Sequence, residues 1–326
     1  MKKIENIVIQ NFKSLEDVKI QGCKTFNLFI GRPNVGKSNI IEALSFMAIP
    51  YLHPMKKSLK TIFRVERGSA LFFNGNISQN IDIDLGDYGM QIVNAASNKV
   101  DVFARHMEGT QSLDIVDLKV KKGLNDYPIF KPYSYGAHAA SDWITQVDMP
   151  FLCPWDGNNM MQVLQQNESI KQYFVNLLKE YDLQLTLDMA SQEVRVLKPL
   201  PDSSSFIMPY TALADSIKRL MFYKAAVDSN KESVLMFEEL EAHAYPPYIS
   251  KIAQTIIQNP SNQYFITTHS PYVVNEFLED KSLDVAIHIV DYKDGKTIVK
   301  TLSKEEMDEV YNYGIDLFFN TEAFLD

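Results

Sequence analysis

Cysteine is nearly missing: Cys23 and Cys153 are the only two in 326 residues. So few exclude a disulfide framework and a cysteine-based metal site, and they fit a reducing cytosol. Basic charge is also in deficit. With 32 Lys and Arg against 41 Asp and Glu, the net charge is -9. Nothing in that total attracts nucleic acid or an anionic membrane, although a local basic patch could still do so. No window approaches about eighteen uninterrupted apolar residues, so no transmembrane helix is expected. Polar residues interrupt the apolar run of the first twelve residues too early for a signal peptide, and the expected location is the cytoplasm. Heptads sustained over three or four repeats are absent, which leaves no room for long coiled-coil arms. Internal repeats and low-complexity tracts are absent too. His53, His106, His138 and His288 are scattered without metal-ligand spacing. What remains is a packed soluble composition, 46% hydrophobic and 22% charged.

Its most informative stretch begins with an apolar run, Phe26-Asn27-Leu28-Phe29-Ile30. Gly31-Arg32-Pro33-Asn34-Val35-Gly36-Lys37-Ser38 follows and fits G-x-x-x-x-G-K-[ST], the phosphate-binding loop or P-loop. After Ser38, Ile40, Ile41, Leu44 and Met47 recur at helical spacing, so the glycines stand between a buried strand and a helix. In that context the loop from Gly31 to Gly36, with Asn39 in the first helical turn, turns backbone N–H groups toward the α and β phosphates of ATP. Lys37 reaches the β and γ phosphates, and the Ser38 hydroxyl ligates Mg²⁺.

Ahead of this loop, Ile4, Ile7, Val8 and Ile9 predict one strand and Val18-Lys19-Ile20 a second, with residues 11–17 read as the turn. Lys56, Lys60, Arg64 and Arg67 would form one basic stripe on a helix, either a contact for nucleic acid or an acidic partner or a solvated face. Residues 70–130 alternate apolar and polar positions, as antiparallel strands with one wet face do. Pro150, Pro154 and Gly157 mark a change of lobe, and Met160 to Leu178 has helical spacing. A hairpin is expected over 183–197 and another around Asp294-Gly295.

Three later stretches carry further chemistry. Residues 210–227 read as an amphipathic helix with Thr211 as a cap. Val234-Leu235-Met236-Phe237-Glu238-Glu239 is an apolar strand that stops at two carboxylates. Beside a phosphate loop, the first acid can hold a Mg²⁺-bound water and the second can take a proton from the attacking water. Gln263 to Pro271 is another strand, stopping at His269.

Together these motifs resemble the ABC-class P-loop ATPase heads of the RecF, SMC and OLD type. The resemblance rests on Asn11-Phe12-Lys13-Ser14, the P-loop, Leu213-Ala214-Asp215-Ser216, the two-acid strand, Glu241 to Pro246, and Thr268-His269-Ser270-Pro271. It implies an α/β fold, with a mostly parallel central sheet, an antiparallel β subdomain and a helical lobe. The whole chain would be one head: a P-loop lobe over 1–134, a helical signature lobe over 135–226, and 227–326 returning to the core sheet. Lys13 would lie near the nucleotide phosphates, with a plain surface lysine as the other reading. Glu239 and His269 would act beside Lys37 in hydrolysis, Glu238 would join Ser38 at Mg²⁺, and Asp215 and Ser216 would meet the nucleotide of an opposite subunit. Ala214 and Ser216 depart from the Leu-Ser-x-Gly signature, and a glutamine loop among Gln79, Gln91 and Gln111 is not distinguished. The resemblance further implies a homodimer closed on ATP, acting on a separately encoded effector as defence or toxin–antitoxin modules do. A RecF-like DNA clamp and a scaffold with little turnover are the alternatives. No nuclease domain of the OLD kind is expected after His269.

Overall fold

The computed structural model describes residues 2–53, 55, 57–96, 99–106, 109–120, 129–136 and 148–325. In chain order the elements begin with β1 (Asn6–Phe12), β2 (Leu15–Gln21), β3 (Phe26–Ile30), α1 (Lys37–Ser45) and α2 (Leu59–Phe63). They continue with β4 (Ile81–Asp84), β5 (Gly89–Ala96), β6 (Lys99–His106), β7 (Gly109–Val116), β8 (Lys119–Val120) and β9 (Phe130–Tyr133). Next come α3 (Met160–Gln166), α4 (Glu168–Lys179), β10 (Gln184–Asp188), β11 (Glu193–Pro199), β12 (Ser205–Pro209) and α5 (Asp215–Asp228). The series closes with β13 (Val234–Phe237), α6 (Pro246–Ile257), β14 (Gln263–Thr267), α7 (Pro271–Glu279), β15 (Val285–Lys293), β16 (Lys296–Thr301) and α8 (Lys304–Tyr313). These fall into two compact units, one of residues 1–132, 232–241 and 262–326, the other of residues 133–231 and 242–261.

The first unit holds two sheets. Its core sheet runs β16-β15-β3-β14-β13-β9, with β15, β3, β14 and β13 parallel. Every residue of β3, β13 and β14 is buried. Such continuous apolar runs belong to parallel strands covered on both faces, whereas alternation marks a half-exposed strand. The other sheet is antiparallel, β2-β1-β4-β5-β6-β7-β8, and β4 buries Ile81 and Ile83 while Asp84 stays exposed.

Two sequence expectations are corrected here. The turn read over 11–17 shrinks to Lys13 and Ser14, because β1 runs to Phe12 and β2 resumes at Leu15. Asn11 permits this: it adopts a φ of 58° while its side-chain amide donates to the carbonyls of Asn76 and Gln79. The basic residues share no helix either. α2 spans only five residues and stops at Arg64, whose φ of 50° is left-handed, and Arg67 precedes a separate 3-10 turn. Lys56 lies outside the described residues.

In the second unit, α4 buries Ile170, Phe174, Leu177 and Leu178 on one stripe, and α5 packs on α6. The single helix read from Met160 to Leu178 is broken at Asn167 into α3 and α4. The hairpin expected over 183–197 forms as β10 and β11, and β12 adds a third antiparallel strand. The helix expected from residue 210 starts later, at Asp215, with Ala214 rather than Thr211 at its cap position. Tyr210–Ala212 is a 3-10 turn, and Leu213 is extended, with φ -67° and ψ 154°. No helix among the described residues is long and apolar enough to cross a membrane.

Candidate active site

The phosphate loop is pressed against β15 and β16, and its glycines are the residues that permit it. Gly31 has a φ of 147°, and a Cβ there would lie 2.1 Å from the Val290 carbonyl oxygen. At Gly36, φ is 107°, and a Cβ would lie 2.2 Å from Thr297 Oγ1 and 2.8 Å from Ser14 Oγ. Side-chain bonds fasten the same contact: Thr297 Oγ1 donates to the Val35 carbonyl at 2.8 Å, and Arg32 pairs with Asp291 at 3.0 Å. Beyond Gly36 the chain enters α1 without a side-chain cap, so N–H groups at its positive end stay free of intrahelical partners.

Three neighbouring strands end at this loop. β14 lies between β3 and β13 in parallel register, with Thr267 beside Phe29 and Ile266 beside Phe237. The residues that follow are Lys37 after β3, His269 after β14 and Glu239 after β13, and all three line one cavity of about 470 Å³. Open α/β sheets place ligands at the carboxyl ends of their strands, and this volume lies within the range of small-molecule sites.

Lys37 is 5% exposed and donates to the carbonyls of Gly31 at 2.8 Å and Arg32 at 2.7 Å. Burial brings its ammonium down to about 8, against the opposing pull of Glu239 and Glu241. His269 is likewise held below the ordinary imidazole value, first by burial and then by Lys37, while Glu241 and Glu239 act the other way. Glu239 sits at a left-handed φ of 47°, its N–H donating to Thr267 Oγ1 at 3.0 Å. Glu241 spans the two strand ends: Oε1 accepts the His269 N–H and Oε2 the Thr268 hydroxyl.

Of the loop residues singled out from sequence, Pro33, Asn34, Gly36, Lys37, Ser38 and Asn39 line the cavity. Lys13 is committed elsewhere, with its ammonium bonded to the Glu42 carboxylate and, at 2.7 Å, to the Phe63 carbonyl; its neighbour Ser14 lines the cavity. Burial pushes the Glu42 carboxyl up, and Lys13 opposes that shift. Glu238 is bound by Arg64, whose Nη2 lies 3.1 and 3.0 Å from its two carboxylate oxygens. It is Arg64 that faces the cavity. Asp215 and Ser216 belong to the second unit. There Asp215 pairs with Lys218 at 2.7 Å, and the Ser216 hydroxyl accepts the Tyr245 N–H at 3.0 Å.

Sequence reasoning passed over Arg64, Thr267, Glu241 and Tyr292 as site residues. Thr267 stands in the same run as His269, and Glu241 follows the paired acids, so proximity to those motifs was a usable signal. For Tyr292 there was none. Gln91 donates to Asp82 at 2.7 Å, and neither Gln79 nor Gln91 lines the cavity; the Gln111 side chain lies outside the described residues. His138 also lies outside them, as does the His106 side chain. Among the described residues no group of three or more His, Cys, Asp or Glu side chains could hold a metal ion. Oxygen donors such as Ser38 and a single carboxylate suit Mg²⁺, which keeps several waters and takes much of its shell from bound phosphates.

Comparison with known proteins gives a consistent answer. Residues 1–144 match the family model described as "AAA ATPase domain". Residues 165–275 match "AAA domain, putative AbiEii toxin, Type IV TA system". An ATP/GTP phosphatase of Helicobacter pylori is 30% identical over 87 residues, 24% of this chain and 24% of that protein. The DNA replication and repair protein RecF of Lactococcus lactis is 37% identical over 51 residues, 16% of this chain and 14% of RecF. The chain thus spans a quarter or less of the length of these curated relatives. Among solved structures, an Smc head bound to the C-winged helix domain of ScpA aligns with a TM-score of 0.56 at 16% identity, over 93% of this chain and 98% of that one. The Smc head derived from Pyrococcus furiosus, with an extended coiled coil and bound to the C-terminal domain of ScpA, aligns at 0.57 and 13%, over 96% and 99%.

Proposed function

We propose that the chain is an ABC-type P-loop ATPase head similar to those of the RecF and SMC kind, and that it hydrolyses ATP in the cytoplasm as a switch. ATP with Mg²⁺ closes two heads on one another, hydrolysis releases them, and the change of state governs a separate effector protein. The observation that carries the reading is the placement of Lys37, His269 and Glu239 on one cavity after three adjacent strands.

Each side chain has a task in this scheme. The Lys37 ammonium neutralises the β and γ phosphates, and the N–H groups at the start of α1 hold their oxygens. The Glu239 carboxylate accepts the proton of the attacking water. His269, kept neutral by its surroundings, forms the hydrogen bond that reports on the γ phosphate. Ser38 would hold Mg²⁺, whose chemistry is to offset phosphate charge, and Glu238 would join it on leaving its pair with Arg64. At the start of α5, Ala214 offers no side-chain cap, and Asp215 and Ser216 would face a nucleotide held by a second copy. The likeness of 165–275 to a toxin–antitoxin ATPase domain supports an effector of that class.

Phosphate release from ATP and Mg²⁺, with light scattering on the Glu239→Gln protein, tests the scheme. Turnover lost in Lys37→Ala and an ATP-dependent dimer in Glu239→Gln are expected. No release by the unaltered protein at saturating ATP would overturn the catalytic reading. Similarity to RecF favours one alternative, a DNA-clamping ATPase. Salt-sensitive duplex binding by the unaltered protein would select it, and no binding at low salt would count against it.

A further inference from the structure

The cavity is lined mainly by polar residues. Around Lys37 the lining includes Ser14, Asn34, Asn39, Thr267 and Glu239, and it also includes Pro33 and Tyr292. Tyr292 is 47% exposed, an aromatic residue open to water in the lining of a charged site. Tyrosines on the outer turns of a hairpin are ordinary surface residues, so the ring's surroundings decide whether this one has a use.

Those surroundings are rigid. β15 and β16 are joined by the two-residue turn Asp294-Gly295, with φ of 51° and 82°, the hairpin turn that matches strand twist. Across it the Tyr292 hydroxyl donates to the Gly295 carbonyl at 2.8 Å, which fixes the ring to its own hairpin. The hairpin is in turn fastened to the phosphate loop at both strands. Asp291, next to Tyr292, pairs with Arg32, while Thr297 bonds Val35 and its N–H donates to the Ser14 carbonyl at 3.1 Å. A ring held this way keeps a fixed relation to any phosphate bound at Gly31 to Ser38. Little side-chain entropy remains to be lost when a flat ligand lies against it.

We propose that Tyr292, on the cavity shared with Pro33 and Lys37, is the platform on which the nucleobase of the bound triphosphate stacks. This rests on the nucleotide reading of the same cavity and adds the part of the ligand that the phosphate loop does not touch. Phosphate contacts treat all triphosphates alike, whereas an aromatic face recognises a base through its π surface and strengthens with base size. The site should therefore favour purine over pyrimidine triphosphates through this one ring.

Competition experiments with Mg²⁺-ATP, Mg²⁺-CTP and inorganic tripolyphosphate on the full chain test the assignment. Tyr292→Ala should raise KM for ATP about tenfold, leave inhibition by tripolyphosphate within about twofold of the unaltered protein, and erase the preference for ATP over CTP. Tyr292→Phe keeps the ring and loses only the Gly295 bond, and should restore most of the affinity. An unchanged KM in Tyr292→Ala would overturn the proposal. So would equal losses for ATP and tripolyphosphate, which would mean that the hairpin merely supports the loop. If the unaltered protein bound tripolyphosphate but gained nothing from a base, this inference would fail while the phosphate site stood. If it bound neither, both readings would fall.

Discussion

The Glu241 carboxylate holds His269 by its main chain, with Oε1 accepting the His269 N–H at 2.5 Å. An acid placed after β13 thereby fixes the turn after β14 that carries the imidazole, and the Thr268 hydroxyl at 2.7 Å on Oε2 completes the clamp. Glu241→Ala should lower kcat about 100-fold while KM for ATP shifts by no more than about threefold, because displacing a catalytic group by an ångström costs that much. Steady-state kinetics, with a melting curve to establish folding, decides it. A loss confined to KM would place Glu241 in substrate binding instead.

Lys37 gives the pH dependence a definite direction. Its ammonium is brought down to about 8 by burial, so the free protein loses that charge as pH rises through about 8. We expect kcat/KM for ATP to fall above that pH, approaching tenfold per unit, since this ratio reports groups on the free enzyme. Lys37→Arg, whose charge persists, should give a lower but flatter profile over the same range. A profile flat to pH 9.5 in the unaltered protein would show that the charge of Lys37 is not needed.

Two glycines with positive φ should respond differently to alanine. Gly31→Ala would drive a Cβ to 2.1 Å from the Val290 carbonyl, so the loop or β15 must shift. A loss of about 3 kcal/mol or more is expected, from overpacking added to left-handed strain. Gly86 has a φ of 81° with nothing within 4 Å of an added Cβ, so Gly86→Ala should cost only about 1 kcal/mol. Urea denaturation of the two variants compares them directly, and equal losses would deny the close approach at Gly31.

Acid stability should depend on His288. Its ring is fully buried, stacked 4.8 Å from Phe29, and burial brings it from 6.5 down to about 3. Between those values the unfolded chain binds a proton that the folded chain does not, so stability falls as pH drops from about 6.5 toward 3. The slope from this one group is at most about 1.4 kcal/mol per pH unit. Denaturant midpoints measured from pH 7 to 4 should show the decline in the unaltered protein and a shallower one in His288→Phe, which keeps a ring beside Phe29.

What could be read from residues alone was whatever lies in a short unbroken run. The phosphate loop between an apolar strand and a helix, the strand stopping at Glu238-Glu239 and the strand stopping at His269 each need only a few consecutive residues, and each stands where its pattern placed it. Partners far along the chain were not legible. Arg64 meets Glu238 across 174 residues, and no local pattern could show that the expected stripe would surrender a member to an acid at the site. The stripe failed for a local reason too, since left-handed backbone at Arg64 ends a helix that spacing alone would extend. Lys13 was placed by analogy near phosphate, yet Glu42 claims its ammonium. Propensity could not foresee a buried carboxylate one turn into α1 waiting for it.

The pairing of β3 with strands from the far part of the chain also sets a timetable for synthesis. Asn27 donates to the Tyr264 carbonyl across 237 residues, and β3 is flanked by β14 on one side and β15 on the other. At roughly 5–20 residues per second, the strand that leads into the phosphate loop waits tens of seconds on the ribosome for either neighbour. Contacts of such long sequence separation also form slowly, because the intervening chain must close first. A nascent chain therefore carries its phosphate loop long before it can use one, and the apolar run from Phe26 to Ile30 lacks its β15 neighbour until residues up to Val290 have emerged.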